Sequence, residues 1–140
     1  MTRNREYQIN CIVFKKQNKD IKFLLLKRIA ERGGFWQSIT GGVGVGEDRI
    51  KAIRRELKEE TGITKFKKVI DTKFSYSFVN REGRKLEEHV YGIEINPNQK
   101  ITLSWEHTER KWVDLKEALK LLKYKNNKKA FKILYQRITS

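Results

Sequence analysis

The sequence predicts an α+β domain, a mixed sheet covered by helices, and three observations carry that prediction. Apolar runs rich in Ile, Val, Leu and Phe appear in pairs separated by short polar turns, one charged segment between two such pairs has helical spacing instead, and the last quarter of the chain is helical in pattern. At 140 residues, 38% of them hydrophobic, the chain predicts a single domain over 1–140 with an ordinary core.

The first pair of strands is predicted at Tyr7 to Phe14 and Ile21 to Arg28, flanking the polar segment KKQNKD, which reads as the turn of a hairpin. Cys11 lies inside the first run. As the chain's one cysteine it has no internal disulfide partner and reads as a small buried hydrophobe. From Asp48 to Thr61 the residues Ile50, Ile53 and Leu57 recur at helical spacing, and Gly62 follows as the stop. In the second pair of strands Phe74, Tyr76 and Phe78 alternate with serines, His89, Tyr91, Ile93 and Ile95 alternate with polar or small residues, and NREGR makes the turn between them. Leu115 to Leu122 and Ala130 to Ile138 read as helices, the latter with an apolar stripe of Phe131, Leu134 and Ile138.

No stretch approaches the roughly 18 uninterrupted apolar residues of a membrane helix, and the opening MTRNREYQIN lacks the apolar run of a secretory signal. The expectation is a soluble, cytoplasmic protein without a membrane partner. Against 17 Asp and Glu stand 32 Lys and Arg, a formal net charge of +15, which favours polyanionic partners such as nucleotides or nucleic acid, although scattered lysines also make an ordinary solvated surface.

In so basic a chain the placement of Glu56, Glu59 and Glu60 is unexpected. At ~100° per residue they share an arc of about 100° beside the apolar stripe, so their carboxylates can converge. Mutual repulsion would cost stability unless a hard divalent cation, which takes several oxygen ligands, neutralised it. A solvated face with ion pairs such as Arg55 to Glu59 is the alternative. Immediately before this helix, Gly41, Gly42, Gly44 and Gly46 form a loop that can approach a ligand closely and leads into a helix N-terminus. It is not a P-loop, because no Gly-Lys-Ser/Thr follows, nor a dinucleotide fingerprint, because the βαβ context is missing.

The combined segment GGVGVGEDRIKAIRRELKEETGI resembles the signature of the Nudix hydrolases, with Gly41, Glu47, Arg55, Glu56, Leu57, Glu59, Glu60, Gly62 and Ile63 at every fixed position. The resemblance extends over nearly the whole chain and implies the family's α/β/α sandwich with a mixed sheet. It also implies a Mg²⁺-dependent enzyme, with Mn²⁺ as a substitute, that cleaves a phosphoanhydride by attack of water on phosphorus. Carried over residue by residue, it makes Glu59 and Glu60 metal ligands and Glu56 a further ligand or the base. The Thr40 carbonyl becomes an extra ligand, and Glu47 with Arg55 a structural ion pair beside Gly41 and Gly62. Gly44 departs from the pattern, standing where relatives often carry an acid.

Two more stretches, FWQSITG (35–41) and WEHTERKWVDL (105–115), are similar to those of bacterial dihydroneopterin triphosphate pyrophosphatases, which also accept dATP. That similarity places Glu106 at the metal site as a ligand or general base, against the alternative of a rim carboxylate paired with a nearby Lys or Arg. His107 reads as a polar loop residue. Trp36, Tyr76 and Phe78 are candidates to stack on a flat heterocycle, or are simply core, and Arg28 is a candidate phosphate clamp or a surface arginine. The expected partner is a small nucleoside or pterin triphosphate. RNA 5′ ends or another nucleoside diphosphate derivative are the less favoured substrates, the RNA reading raised by the eight Lys or Arg against one Glu from Lys116 to Arg137. A nucleotide-binding module without turnover is the third reading, disfavoured because binding alone does not require all three box glutamates.

Overall fold

The computed structural model describes residues 7–140; segment 1–6, part of the opening read for a secretory signal, lies outside the described residues. Strands β1 (Tyr7–Gln17) and β2 (Asp20–Arg28) form the predicted hairpin, but with a two-residue turn, because each strand runs further than its apolar residues. Asn18 makes the turn at φ 59, a left-handed conformation that Asn tolerates. One 3-10 turn (Ala30–Arg32) and two short strands not predicted from the sequence follow, β3 (Trp36–Gln37) and β4 (Ile39–Gly42). Then come α1 (Arg49–Thr61), β5 (Lys68–Val79), β6 (Lys85–Glu94), β7 (His107–Val113), α2 (Leu115–Leu121) and α3 (Lys125–Thr139).

The strands form one mixed sheet in the order β3-β2-β1-β6-β5, with β4 added to β1 and β7 to β2. Strand β1 is the hub: it runs parallel to β6 on one side, while β4 and β2 share its other side in antiparallel pairing. Alternation along β1 sends Ile9, Cys11 and Val13 to one face, where they meet Ile53 and Leu57 of α1. Ile12 and Phe14 go to the other face and meet Phe131 and Leu134 of α3 and Ala118 of α2. A strand buried on both faces reads as an unbroken apolar run, which is how β1 and β2 read. Helix α3 sits hard against the sheet, since a Cβ at Gly92 would lie 2.4 Å from Leu134. Among the described residues no helix is long and apolar enough to cross a membrane.

Two expectations need correction. Ile50, assigned to the apolar stripe of α1, is 43% exposed, and Ala52 takes a buried place with Ile53 and Leu57. Helix α3 begins at Lys125 rather than near Ala130, since its first turn is polar and has no apolar periodicity to reveal it.

Candidate active site

Helix α1 is fixed at both ends by its own sequence. The Asp48 carboxylate accepts the Lys51 N–H at 2.8 Å, and Gly62 closes the C-terminus at φ 73. Ile53 and Leu57 set its rotation against the sheet, which turns Glu56 and Glu60 inward to 9% and 8% exposure and leaves Glu59 facing water. Strand β4 delivers Gly41 directly onto Glu56: a Cβ there would lie 2.2 Å from the carboxyl carbon, so only glycine allows this approach. Thr40 precedes it, paired with Asn10 of β1.

Arg55 ties the loop to the helix. Its Nε and Nη2 donate to the two Glu47 oxygens at 2.8 and 2.9 Å, Nη2 also donates to the Gly42 carbonyl at 2.7 Å, and Nη1 donates to Glu56 Oε1 at 2.7 Å. Glu47 Oε1 accepts the Gly44 N–H at 2.9 Å, so Gly44 serves the loop through its backbone. Hydrogen bonding to Glu47 pushes the Arg55 pKa up and keeps the guanidinium charged. Burial pushes Glu56 up to about 7; Arg55 opposes the shift, and the neighbouring Glu59 and Glu60 add to it.

A second layer closes on Glu60 from the segment before β7. The Ser104 hydroxyl donates to Glu60 Oε2 at 3.1 Å, and His107 Nδ1 lies 3.1 Å from the same oxygen. That His107 contact has the length of a hydrogen bond without its alignment, and both ring nitrogens are buried without an aligned partner. Burial alone would raise the Glu60 pKa, but His107, Ser104 and the adjacent Glu106 carboxyl outweigh it and hold it below the usual value. His107 is therefore buried at 8% exposure and is not the polar loop residue expected; its position directly after Glu106 was the one signal available. Glu106 does pair with an arginine, Arg32, at 3.4 Å, while also adjoining Glu60.

Arg28 ends β2 at this rim. Its Nε is buried without a partner. Burial and the nearby Arg32 and Arg81 push its pKa down, with Glu106 and Glu60 pulling the other way. A cation held near other cations and short of acceptors fits an anion. Tyr76 and Phe78 stand in a half-buried ladder with Phe74, centroids 5.6 and 6.4 Å apart. The Tyr76 hydroxyl is committed inward, donating to Glu88, which also accepts Asn10 Nδ2 at 3.1 Å and Gln8 Nε2 at 3.0 Å. Trp36 packs against the α2 and α3 core and bridges to Leu122. A pocket of about 340 Å³ opens beside Gly42, lined by Tyr7, Gln8, Asn80, Arg84 and Leu86.

The structure thus brings Thr40, Gly41, Glu47, Arg55 and Glu56 into one layer and Glu60 and Glu106 into the next. It does not gather three acidic, His or Cys side chains around one point among the described residues; Glu56 is turned to Arg55, and the exposed Glu59 lies 3.8 Å from the same guanidinium, the ion pair named as the alternative to a metal site. The donors are nevertheless all hard oxygens on one helix arc and one facing loop, the set that suits Mg²⁺ or Mn²⁺ rather than a softer ion.

The NUDIX domain family model matches residues 5–135. A Caenorhabditis elegans bis(5′-nucleosyl)-tetraphosphatase (asymmetrical) is 31% identical over 81% of this chain and 82% of its own length. The dihydroneopterin triphosphate diphosphatase of Escherichia coli (strain K12) is 29% identical over 80% and 82%. A Myxococcus xanthus octanoyltransferase is 32% identical over 89% of this chain, but the chain spans only 35% of that protein. Among solved structures, a C. elegans Ap4A hydrolase binary complex superposes with a TM-score of 0.82 at 24% identity, covering 94% of this chain and 96% of its own. The E. coli dihydroneopterin triphosphate pyrophosphohydrolase does so with 0.78 at 26%, again covering 94% and 96%.

Proposed function

The chain belongs to the Nudix hydrolase family, and on that footing we propose that it is a divalent-metal-dependent pyrophosphohydrolase of a purine or pterin triphosphate. Water adds to phosphorus, the bridging P–O bond between the α and β phosphates breaks, and the products are the monophosphate and pyrophosphate. The observation that carries the reading is the Gly41–Glu56–Arg55 junction, in which a glycine strand end, a buried carboxylate and a fourfold-bonded arginine hold the loop against the carboxylate helix.

Glu56, Glu59 and Glu60, with the Thr40 carbonyl and Glu106, are the residues that would hold Mg²⁺ or Mn²⁺. When bound, the ion supplies charge neutralisation on the phosphates and a more acidic water. Arg55 orients Glu56, and Ser104 orients Glu60 through Oε2. In this reading either Glu56 or Glu106 takes the proton from water. Arg28 supports phosphate binding, and the Tyr76 and Phe78 ring faces support stacking of the heterocycle.

The test is catalytic efficiency for dihydroneopterin triphosphate, dATP, a dinucleoside tetraphosphate and triphosphorylated RNA at fixed Mg²⁺ and salt, with EDTA controls and products identified by mass. The expected result is EDTA-sensitive release of pyrophosphate, highest for a triphosphate of a fused-ring heterocycle. A tenfold preference for the dinucleoside tetraphosphate, about 1.4 kcal/mol in transition-state terms, would favour a dinucleoside tetraphosphatase instead, a reading supported by the 31% identity to the C. elegans tetraphosphatase over 82% of its length. Turnover unaffected by EDTA would end the metal assignment.

A further inference from the structure

A second concavity lies past the C-terminal end of α1, where β5 begins and β6 ends. It measures about 610 Å³ and is lined by Lys65, Phe66, Lys67, Asn98, Gln99 and Lys100. Along β1 it is about 20 Å from the box loop, because Glu94 pairs with Phe14 whereas Gly42 pairs with Gln8. Lys67 shares Glu94 at 3.8 Å, while Lys65 and Lys100 are exposed and make no ion pair among the described residues. The floor is aromatic: Phe66 is half-buried, with the Arg54 guanidinium 4.6 Å over its ring. Arg54 in turn belongs to a row on the outer face of α1. Lys51, Arg54 and Lys58 are all exposed and fall within an arc of about 60°, on the side of the helix turned away from buried Glu56 and Glu60.

We propose that this pocket, with the Lys51–Arg54–Lys58 row leading into it, binds a single-stranded nucleic acid. The lysines take the phosphates, and the Arg54 guanidinium lying over Phe66, with the Asn98 and Gln99 amides beside it, takes a base. The composition decides between polyanions: an acidic peptide needs only the cations, whereas a strand of nucleotides also uses a π-face and amide donors and acceptors beside them. Cations left without carboxylates on an exposed rim keep their charge available for phosphate, and each phosphate neutralised on a single strand adds about −0.7 to the slope of log affinity against log salt. The site is independent of the box chemistry, and it would hold a strand whether or not that strand is a substrate.

The experiment is fluorescence anisotropy of an RNA of about 12 nucleotides labelled at its 3′ end, across a salt series, with the full chain. Lys65→Glu/Lys67→Glu/Lys100→Glu should weaken binding about tenfold or more at low salt and make the salt slope shallower by about 2. Its control, Lys116→Glu/Lys120→Glu/Lys132→Glu, changes net charge equally but on α2 and α3, across the sheet, and should leave binding within about twofold. Phe66→Leu, which keeps apolar contact with the core, should weaken RNA but not inorganic polyphosphate. Melting temperatures of all variants confirm that they fold, and hydrolysis of a small triphosphate should be unchanged in the pocket variant. Equal loss in the two charge-reversed proteins would show diffuse attraction and overturn the proposal. So would RNA binding no tighter than that of poly-glutamate, or no measurable RNA binding at low salt.

Discussion

Gly41 has no side chain because Glu56 occupies the space one would need. Gly41→Ala should therefore push the carboxylate off its position and cost about 1–3 kcal/mol of stability, while turnover falls on the order of a hundredfold because a displaced reactive group loses most of its advantage. Denaturant melts and kcat measured on one preparation check both, and full activity would show that Glu56 can shift without consequence. Glu106 offers a second measurement on the same scale. It adjoins Glu60 and is held by Arg32, so Glu106→Gln should lower kcat about a hundredfold with little change in KM, the pattern of a lost transition-state interaction. If only KM changes, Glu106 belongs to the rim, and Glu56 remains the proton acceptor.

At the scale of elements, three strands meet in a buried polar knot. Gln8 and Asn10 of β1, Tyr76 of β5 and Glu88 of β6 hydrogen-bond to one another, Ser38 donates to Asn10 at 2.6 Å, and Asn127 of α3 donates to Tyr76 at 3.0 Å. Glu88 is 3% exposed, and burial lifts its pKa above the ordinary 4.5 although Tyr76 and Asn10 oppose the shift. The raised folded value fixes the sign: the stabilising contribution is complete below about 4.5 and is lost as pH rises through the folded pKa. Glu88→Gln removes the charge, and Gln8 can turn its amide to accept the new N–H. Urea unfolding at several pH values should then show the variant gaining on the wild type as pH increases from 4 towards 8. A constant difference between the two proteins would mean that Glu88 holds the same protonation state folded and unfolded.

The whole molecule carries +15, and the site that would receive a tri- or tetra-anion sits among Arg28, Arg32 and Arg81. Long-range attraction is screened within about 8 Å at physiological ionic strength. Catalytic efficiency for an anionic substrate should accordingly fall several-fold between roughly 10 and 150 mM salt, with most of the change in association and little in kcat. Rates that ignore salt would mean that the acidic layer around Glu60 and Glu106 cancels the basic field at the mouth.

What the sequence determined by itself is whatever depends on neighbours along the chain. The hairpin, the capped helix from Asp48 to Gly62, the turn at NREGR and the paired strands around it follow from periodicity and turn residues, and the box was legible because its glycines and carboxylates keep fixed offsets on one loop and one helix. Only the tertiary structure decided what depends on partners remote in sequence. Strands β3 and β4 are too short to show a period and exist because β2 and β1 pair with them. His107 and Ser104 reach Glu60 across 47 and 44 residues because β7 adds to β2 and carries the preceding loop to the end of α1. Tyr76 is a network member because β5, β6 and β1 lie side by side, and Ile50, in the first turn of α1, faces water although it shares the helix face of buried Leu57. Local rules place a residue on a face; whether that face meets a strand, a carboxylate or solvent is settled by the packing of elements far apart in the chain.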